Sequence, residues 1–131
     1  MRVTLSHKQN HFRSPVSIWV HRPPPGKWWW DAKREDLTPP MPKRILGKGF
    51  PVWTLEHRGR SITFASPEEI AHAVDVLGQR VLPRPRDLGA KLGLVNQHWL
   101  SRLHKSWKPW TTRQQMVKAL APHAQTIGAA P

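Results

Sequence analysis

The sequence contains no cysteine, which excludes disulfides, thiol catalysis and cysteine-bound zinc or iron–sulfur clusters. Acidic residues are scarce, 8 Asp and Glu against 21 Lys and Arg, so few carboxylates exist for acid–base or metal chemistry. No apolar run approaches the roughly 20 residues that span a bilayer, and the opening "MRVTLSHKQN" has no signal-peptide core. The expectation is a soluble, cytoplasmic chain with no membrane partner. P-loops, dinucleotide fingerprints and nucleophile elbows are absent too.

Positive charge is what the chain has in excess. The net charge of its 131 residues is +13, a field that attracts polyanions at long range, DNA and RNA first among them. The charge is unevenly spread. Residues 1–49 carry 10 basic and 3 acidic groups, residues 50–80 carry 3 and 4, and residues 81–131 carry 8 and 1. A near-neutral centre flanked by two basic sections predicts a structural middle and two contact regions.

The length suits one compact unit, and the local patterns predict an α+β fold. Residues 1–49 read as an irregular arm rich in Pro and Trp, because seven of the fourteen prolines lie there and proline removes backbone donors. Within the arm, "VSIWV" (Val16 to Val20) suits one short strand. Residues 50–121 read as a β-hairpin followed by three to four short helices, and residues 122–131 as a tail. The hairpin joins "FPVWTLEH" to "RSITFA" around Gly59, pairing Phe50–His57 with Ser61–Ala65. In "SPEEIAHAVDVLGQ", Ser66 caps, Pro67 takes the first helical position and Glu69 completes a capping box. Ile70, Val74 and Leu77 line one face, so a helix is expected from Pro67 to about Leu77, ending at Gly78.

Beyond "VLPRPRD", the segment "DLGAKLGLVNQHWLSRL" has the layout of a helix-turn-helix, with the turn at Gly93. In that arrangement Asn96, Gln97 and His98 meet base edges, while Arg86, Lys91, Arg102 and Lys105 contact phosphates. The competing reading is a plain helical hairpin whose basic face holds backbone without reading sequence. With His98 at zero and about 100° per residue, Arg102 falls at about 40° and Lys105 at about −20°. Trp99, Leu100, Leu103 and Trp107 fall between about 100° and 200° on the same spacing. Indoles inward and cations outward is therefore the expectation, with Pro109 ending the helix. A last helix follows, capped by Thr111 and stopped by Pro122, with Met116, Val117 and Leu120 on its apolar face. Lys108, Trp110 and Arg113 join the expected nucleic-acid contacts, Trp110 as a stacking platform.

"PPPGKWWWDAKRED" places Trp28, Trp29 and Trp30 consecutively in the arm. Three indoles left in water would make a sticky patch, so they are expected in the chain's own core first, docked on a partner protein second, or stacked on nucleic-acid bases third. Asp31, Glu35 and Asp36 are expected to pair with Lys33 and Arg34. The histidines do not suggest a metal: His7 and His11 lie four apart without the Glu of HExxH, and His98 and His104 fall on different sides of the helix. No cofactor, metal or enzymatic activity is expected. His57, Arg58 and Arg60 are the nearest set for a metal-free ribonuclease, though a surface turn explains them more simply.

"ITFASPEEIAHAVDVLGQRVLP" and "NQHWLSRLHKSWKPWTTRQQMVKAL" resemble recurring segments of short, uncharacterised proteins of proteobacterial plasmids, prophages and integrative elements. The resemblance covers roughly residues 60–121 and implies a mobile-element context without catalytic residues. The expected function is that of a non-enzymatic accessory protein. It binds DNA or RNA backbone through a basic helical face and docks to a larger assembly through the arm. The alternative is a protein-interaction module, either a defence-complex inhibitor or a particle component.

Overall fold

A computed structural model describes residues 1–84 and 99–124, and only the backbone of Trp30, Ser101 and Arg102. Three strands, β1 (Arg2–Lys8), β2 (Phe50–His57) and β3 (Arg60–Phe64), form one antiparallel sheet in the order β1-β2-β3. Together with the helices below they make the fold α+β. Alternation along β2 supplies both faces of the sheet: Trp53 and Leu55 are buried on one, Phe50 and Val52 on the other. The hairpin register pairs Trp53 with Phe64 and His57 with Arg60. Its two-residue turn has φ 53° at Arg58 and 76° at Gly59, both positive, the geometry whose twist matches a β-ribbon.

The stretch expected to be an irregular arm supplies β1, which pairs with β2 from Arg2↔Glu56 to Lys8↔Phe50. Most β1 side chains are exposed, so its apolar alternation is faint, and its hydrogen-bond partner lies far along the chain. Local propensity carries no trace of such pairing. Val16 to Val20 is not a strand either. Ser17–Val20 form one helical turn, α1, set by hydroxyl bonds: Val16 N donates to Ser14 Oγ (3.0 Å) and Ser14 N to Ser17 Oγ (2.9 Å). Trp29–Asp31 and Arg34–Asp36 are single 3-10 turns.

Helix α2 (Pro67–Leu77) lies where the sequence puts it. Ser66 Oγ accepts the Glu69 N–H at 3.1 Å, and Gly78 is the C-cap. The expected helix through Trp107 is instead two 3-10 turns, Trp99–Arg102 and Lys105–Trp107. Between them His104 is extended (φ −59°, ψ 140°), and its Nδ1 accepts the Ser106 N–H at 3.1 Å, which replaces helical continuation. Pro109 opens the last helix, α3 (Trp110–Leu120), as its N-cap, two residues earlier than a Thr111 cap would. The first half of the expected helix-turn-helix, with Gly93, lies outside the described residues, as do residues 125–131 of the expected tail.

The main core joins Trp53, Leu55 and Phe64 of the sheet to Ile70, Ala73, Val76 and Leu77 of α2. Trp99, Leu100, Leu103, Trp107, Met116 and Leu120, together with Val16 and Trp19, complete it. The indoles expected inside are inside, although not by way of a continuous helix. A second cluster of Trp29, Ala32, Leu37, Met41 and Ala65 sits under the proline-rich segment.

Candidate functional site

Three polar or charged arrangements stand out. The first lies at the amino end of α2. Glu69, fully buried, accepts hydrogen bonds from Ser14 Oγ, from Ser17 Oγ at 2.8 Å and from the Ala65 N–H at 3.0 Å. Its carboxylate also meets His21 Nε2 at 3.1 Å, and the same nitrogen lies 2.8 Å from Ser66 Oγ. His21 Nδ1 donates to the Pro39 carbonyl at 2.6 Å. Serine, histidine and a carboxylate meet here, but not as a catalytic triad. Hydroxyl and carboxylate share one ring nitrogen, whereas a triad needs the carboxylate on the other. Ser66, His21 and Glu69 are also all sealed from solvent, which leaves a substrate no approach. The set ties residues 14–21 to α2. Periodicity could have found it: Ser14, Ser17 and His21 recur at spacings of three and four.

The second arrangement lies at the carboxyl end of α2. Arg113 is buried, contrary to its expected place on a phosphate-facing surface. Its guanidinium donates to the carbonyls of Leu77 (3.2 Å), Gln79 and Arg80 (3.1 Å), and its Nε to Lys108 O at 2.7 Å. A helix ends with carbonyls lacking intrahelical donors, and here a planar five-donor fork supplies them. Desolvation first, then the Arg80 charge, lowers the Arg113 pKa from its usual value. The signal was present in the sequence, because Arg113 shares the helical stripe of Met116, Val117 and Leu120. Trp110 is half-buried with Arg80 and Arg113 each 5.1 Å from its ring centre, so cations already occupy its surroundings.

The third is a cleft of about 350 Å³ between β3 and the two 3-10 turns, with Arg60, Ile62, Trp99, Leu103, His104 and Trp107 among its walls. It is apolar inside and basic at the rim. Desolvation, then the charges of Arg60 and Lys105, lower the His104 pKa, so the three groups share one field. The indole N–H of Trp107 is buried without a hydrogen-bond partner. Next to the cleft, Arg2, Glu56, His57, Arg58 and Arg60 surround a shallower hollow of about 510 Å³ at the hairpin end. Desolvation, then Arg58 and the terminal amino group, lower the His57 pKa, which favours a neutral ring. Arg2 and Glu56 form an exposed pair at 3.3 Å.

Of the residues expected to touch nucleic acid, Lys105 is exposed and Lys108 half-buried. Arg86, Lys91, Asn96, Gln97 and His98 lie outside the described residues, as does the Arg102 side chain. Among the arm's indoles, Trp28 is 67% exposed, whereas Trp29 is buried with its Nε1–H donated to His21 O at 2.6 Å. The Trp30 side chain is outside the described set. Arg34 does not pair with its acidic neighbours; it donates to the carbonyls of Phe12 (3.0 Å) and Pro42 (3.1 Å). Among the described residues no group of three or more His, Asp or Glu could hold a metal, and no helix is long and apolar enough to cross a membrane. The basic rim of the cleft was missed in sequence because Arg60 belongs to the near-neutral middle section and meets His104 only through the fold. The chain matches no protein-family model, no curated protein and no solved structure.

Proposed function

We propose that the chain is a non-enzymatic nucleic-acid-binding protein that holds phosphate backbone on the basic surface running from the hairpin end to the turns after Trp99. One observation carries this reading: exposed Arg60 lines both the cleft, where it joins His104, and the adjoining hollow, where it joins exposed Arg2 and Arg58, while exposed Lys105 directly follows His104 in the chain. Cations gathered in this way hold polyanions by displacing counterions. Among the described residues, half-buried Lys108 is a further candidate phosphate contact and half-buried Trp110 a candidate for the bases; the contacts expected of Arg86, Lys91, Asn96, Gln97, His98 and the Arg102 side chain lie outside the described residues. Arg113 is withdrawn from that set because its donors are spent on carbonyls. Binding to short DNA and RNA strands at rising salt tests the reading. Affinity falling steeply, with a slope reduced by about 0.7–0.9 for each of Arg60→Gln and Lys105→Gln, is expected. No binding, or binding indifferent to salt, ends it.

A second reading is favoured by Trp28, an indole 67% exposed beside the exposed Lys27. An indole in that position suits an interface anchor. It fits a protein-interaction module of a mobile element. A stoichiometric protein complex that survives nuclease and is lost in Trp28→Ala would support it over the first.

A further inference from the structure

The proline-rich segment, read from sequence as a docking arm, folds around a second basic concavity. Arg13, Lys33, Arg34, Lys43 and Arg44 line a groove of about 440 Å³, with Glu35 as its one carboxylate. Arg13, Lys33, Lys43 and Arg44 are exposed, whereas Arg34 is 9% exposed.

Arg34 is fixed in place. Its two terminal nitrogens donate to the Phe12 and Pro42 carbonyls, and its guanidinium carbon lies 4.6 Å from the centre of the Phe50 ring. Its Nε is buried and has no partner. Among the described residues no carboxylate forms an ion pair with it. Desolvation and then the neighbouring Arg13 lower its pKa, while Glu69 partly opposes them. The chain thus holds cations together at a cost that its own acidic residues offset only in part. Arg13 is itself held, its guanidinium 4.6 Å from the Trp29 ring centre, and Arg44 donates to Gln9 Oε1 at 3.0 Å. Donors fixed in advance lose little freedom when an anion arrives. A phosphate fits such a place by charge and by its acceptor oxygens.

We propose that this groove is a phosphate-binding site that grips the backbone of the same nucleic-acid strand, which makes the proline-rich segment a second clamp. The proposal rests on the nucleic-acid reading above. A strand is favoured over a single small anion because Arg13, Lys33, Arg34, Lys43 and Arg44 face the groove with Glu35, more positive charge than the roughly −2 of one phosphate would neutralise.

The test compares two double variants of equal charge in the full chain. Lys43→Gln/Arg44→Gln strips the groove; Lys27→Gln/Lys118→Gln removes two exposed cations that do not line it. Arg34 is left intact because it anchors Phe12 and Pro42. Calorimetry with pyrophosphate at low salt should show binding to the wild type and to the control. Binding to the groove variant should be weaker by about tenfold or more, as expected for lost charge-assisted bonds. For a short oligonucleotide, the slope of log affinity against log salt should fall by about 1.5 in the groove variant and less in the control.

Equal losses in both variants would mean a general field and overturn the groove. Oligonucleotide binding with an unchanged slope in the groove variant would also overturn it, yet leave the basic surface at the cleft standing. Pyrophosphate bound while no oligonucleotide binds would overturn the strand assignment and the nucleic-acid reading together. Capture on phosphatidylserine vesicles that is lost in the groove variant, with oligonucleotide binding unaffected, would assign the cations to a membrane and reject the proposal.

Discussion

The two ends of α2 are held by opposite chemistries. At its amino end a buried carboxylate, Glu69, collects donors from Ser14, Ser17 and the Ala65 N–H and lies 3.1 Å from His21 Nε2. At its carboxyl end a buried guanidinium, Arg113, distributes donors among four carbonyls. Each charge has the sign that the helix dipole favours at that end. Each also brings in a distant stretch of chain: Glu69 secures the segment before β2, and Arg113 secures α3. The comparison teaches how a strongly basic chain with few carboxylates organises a core. It commits one acid and one base to the two ends of the same helix, Glu69 from within it and Arg113 from α3, and leaves most other charges at the surface.

Removing the acid should have the larger effect. Glu69→Ala leaves two hydroxyls and a backbone N–H without their acceptor and opens a gap beside His21, and should cost about 3–5 kcal/mol in chemical denaturation. A loss below about 1 kcal/mol would mean that the hydroxyls and His21 find other partners. Arg113→Met keeps the bulk but strands the carbonyls of Leu77, Gln79, Arg80 and Lys108. A loss of about 2–3 kcal/mol is expected, and Arg113→Lys should recover little of it because an ammonium lacks the planar fork. If Lys restores full stability, charge rather than geometry holds that end. Ser66→Ala removes only the local cap and should cost about 1 kcal/mol, separating it from the long-range bonds of Glu69.

The smallest effect is a pH slope from the middle of the helix. His72 Nε2 accepts the Trp99 indole N–H at 3.0 Å, which requires a neutral ring. Desolvation lowers its pKa, with Asp75 and then Glu69 pulling upward. Because the folded pKa lies below the unfolded value, the unfolded chain takes up a proton first as pH falls. This contribution is intact above about 6.5 and drains away on going below it. Denaturation midpoints between pH 7 and 5 should therefore drop less in His72→Gln than in the wild type. Parallel curves would show that His72 contributes nothing to the slope.

What could be read in the sequence was what neighbouring residues decide. Gly59 sets the hairpin turn, and Ser66, Pro67 and Glu69 set the start of α2 within four positions. Ser66 and Glu69 do form a cap, but the Glu69 carboxylate turns to Ala65 N and to the serines and His21 rather than only to its own turn. That second role depends on residues some fifty positions earlier, which no local pattern reports. β1 escaped for the same reason. Arg113 escaped because arginine on a helix is ordinarily read as solvated, although its stripe was apolar. Trp99 and Trp107 were placed inside correctly by periodicity, yet the helix assumed for them gave way to the His104 hydrogen bond. Of the candidate contacts, Lys105 was legible as an exposed cation. The meeting of its neighbour His104 with Arg60 in one cleft, and the assembly of the Arg34 groove from three stretches, exist only in three dimensions.

The pairing of β1 with β2 bears on how the protein is handled at the bench. β1 covers one side of "FPVWTLEH", whose first half is apolar on both faces. Trimming the first eight residues, or crowding them with a fused tag, would uncover a flat row of backbone donors and acceptors on the most oily strand of the molecule. Such a preparation should self-associate through open strand edges, and any turbidity or large particles seen with nucleic acid would then report missing chain rather than ligand-driven assembly.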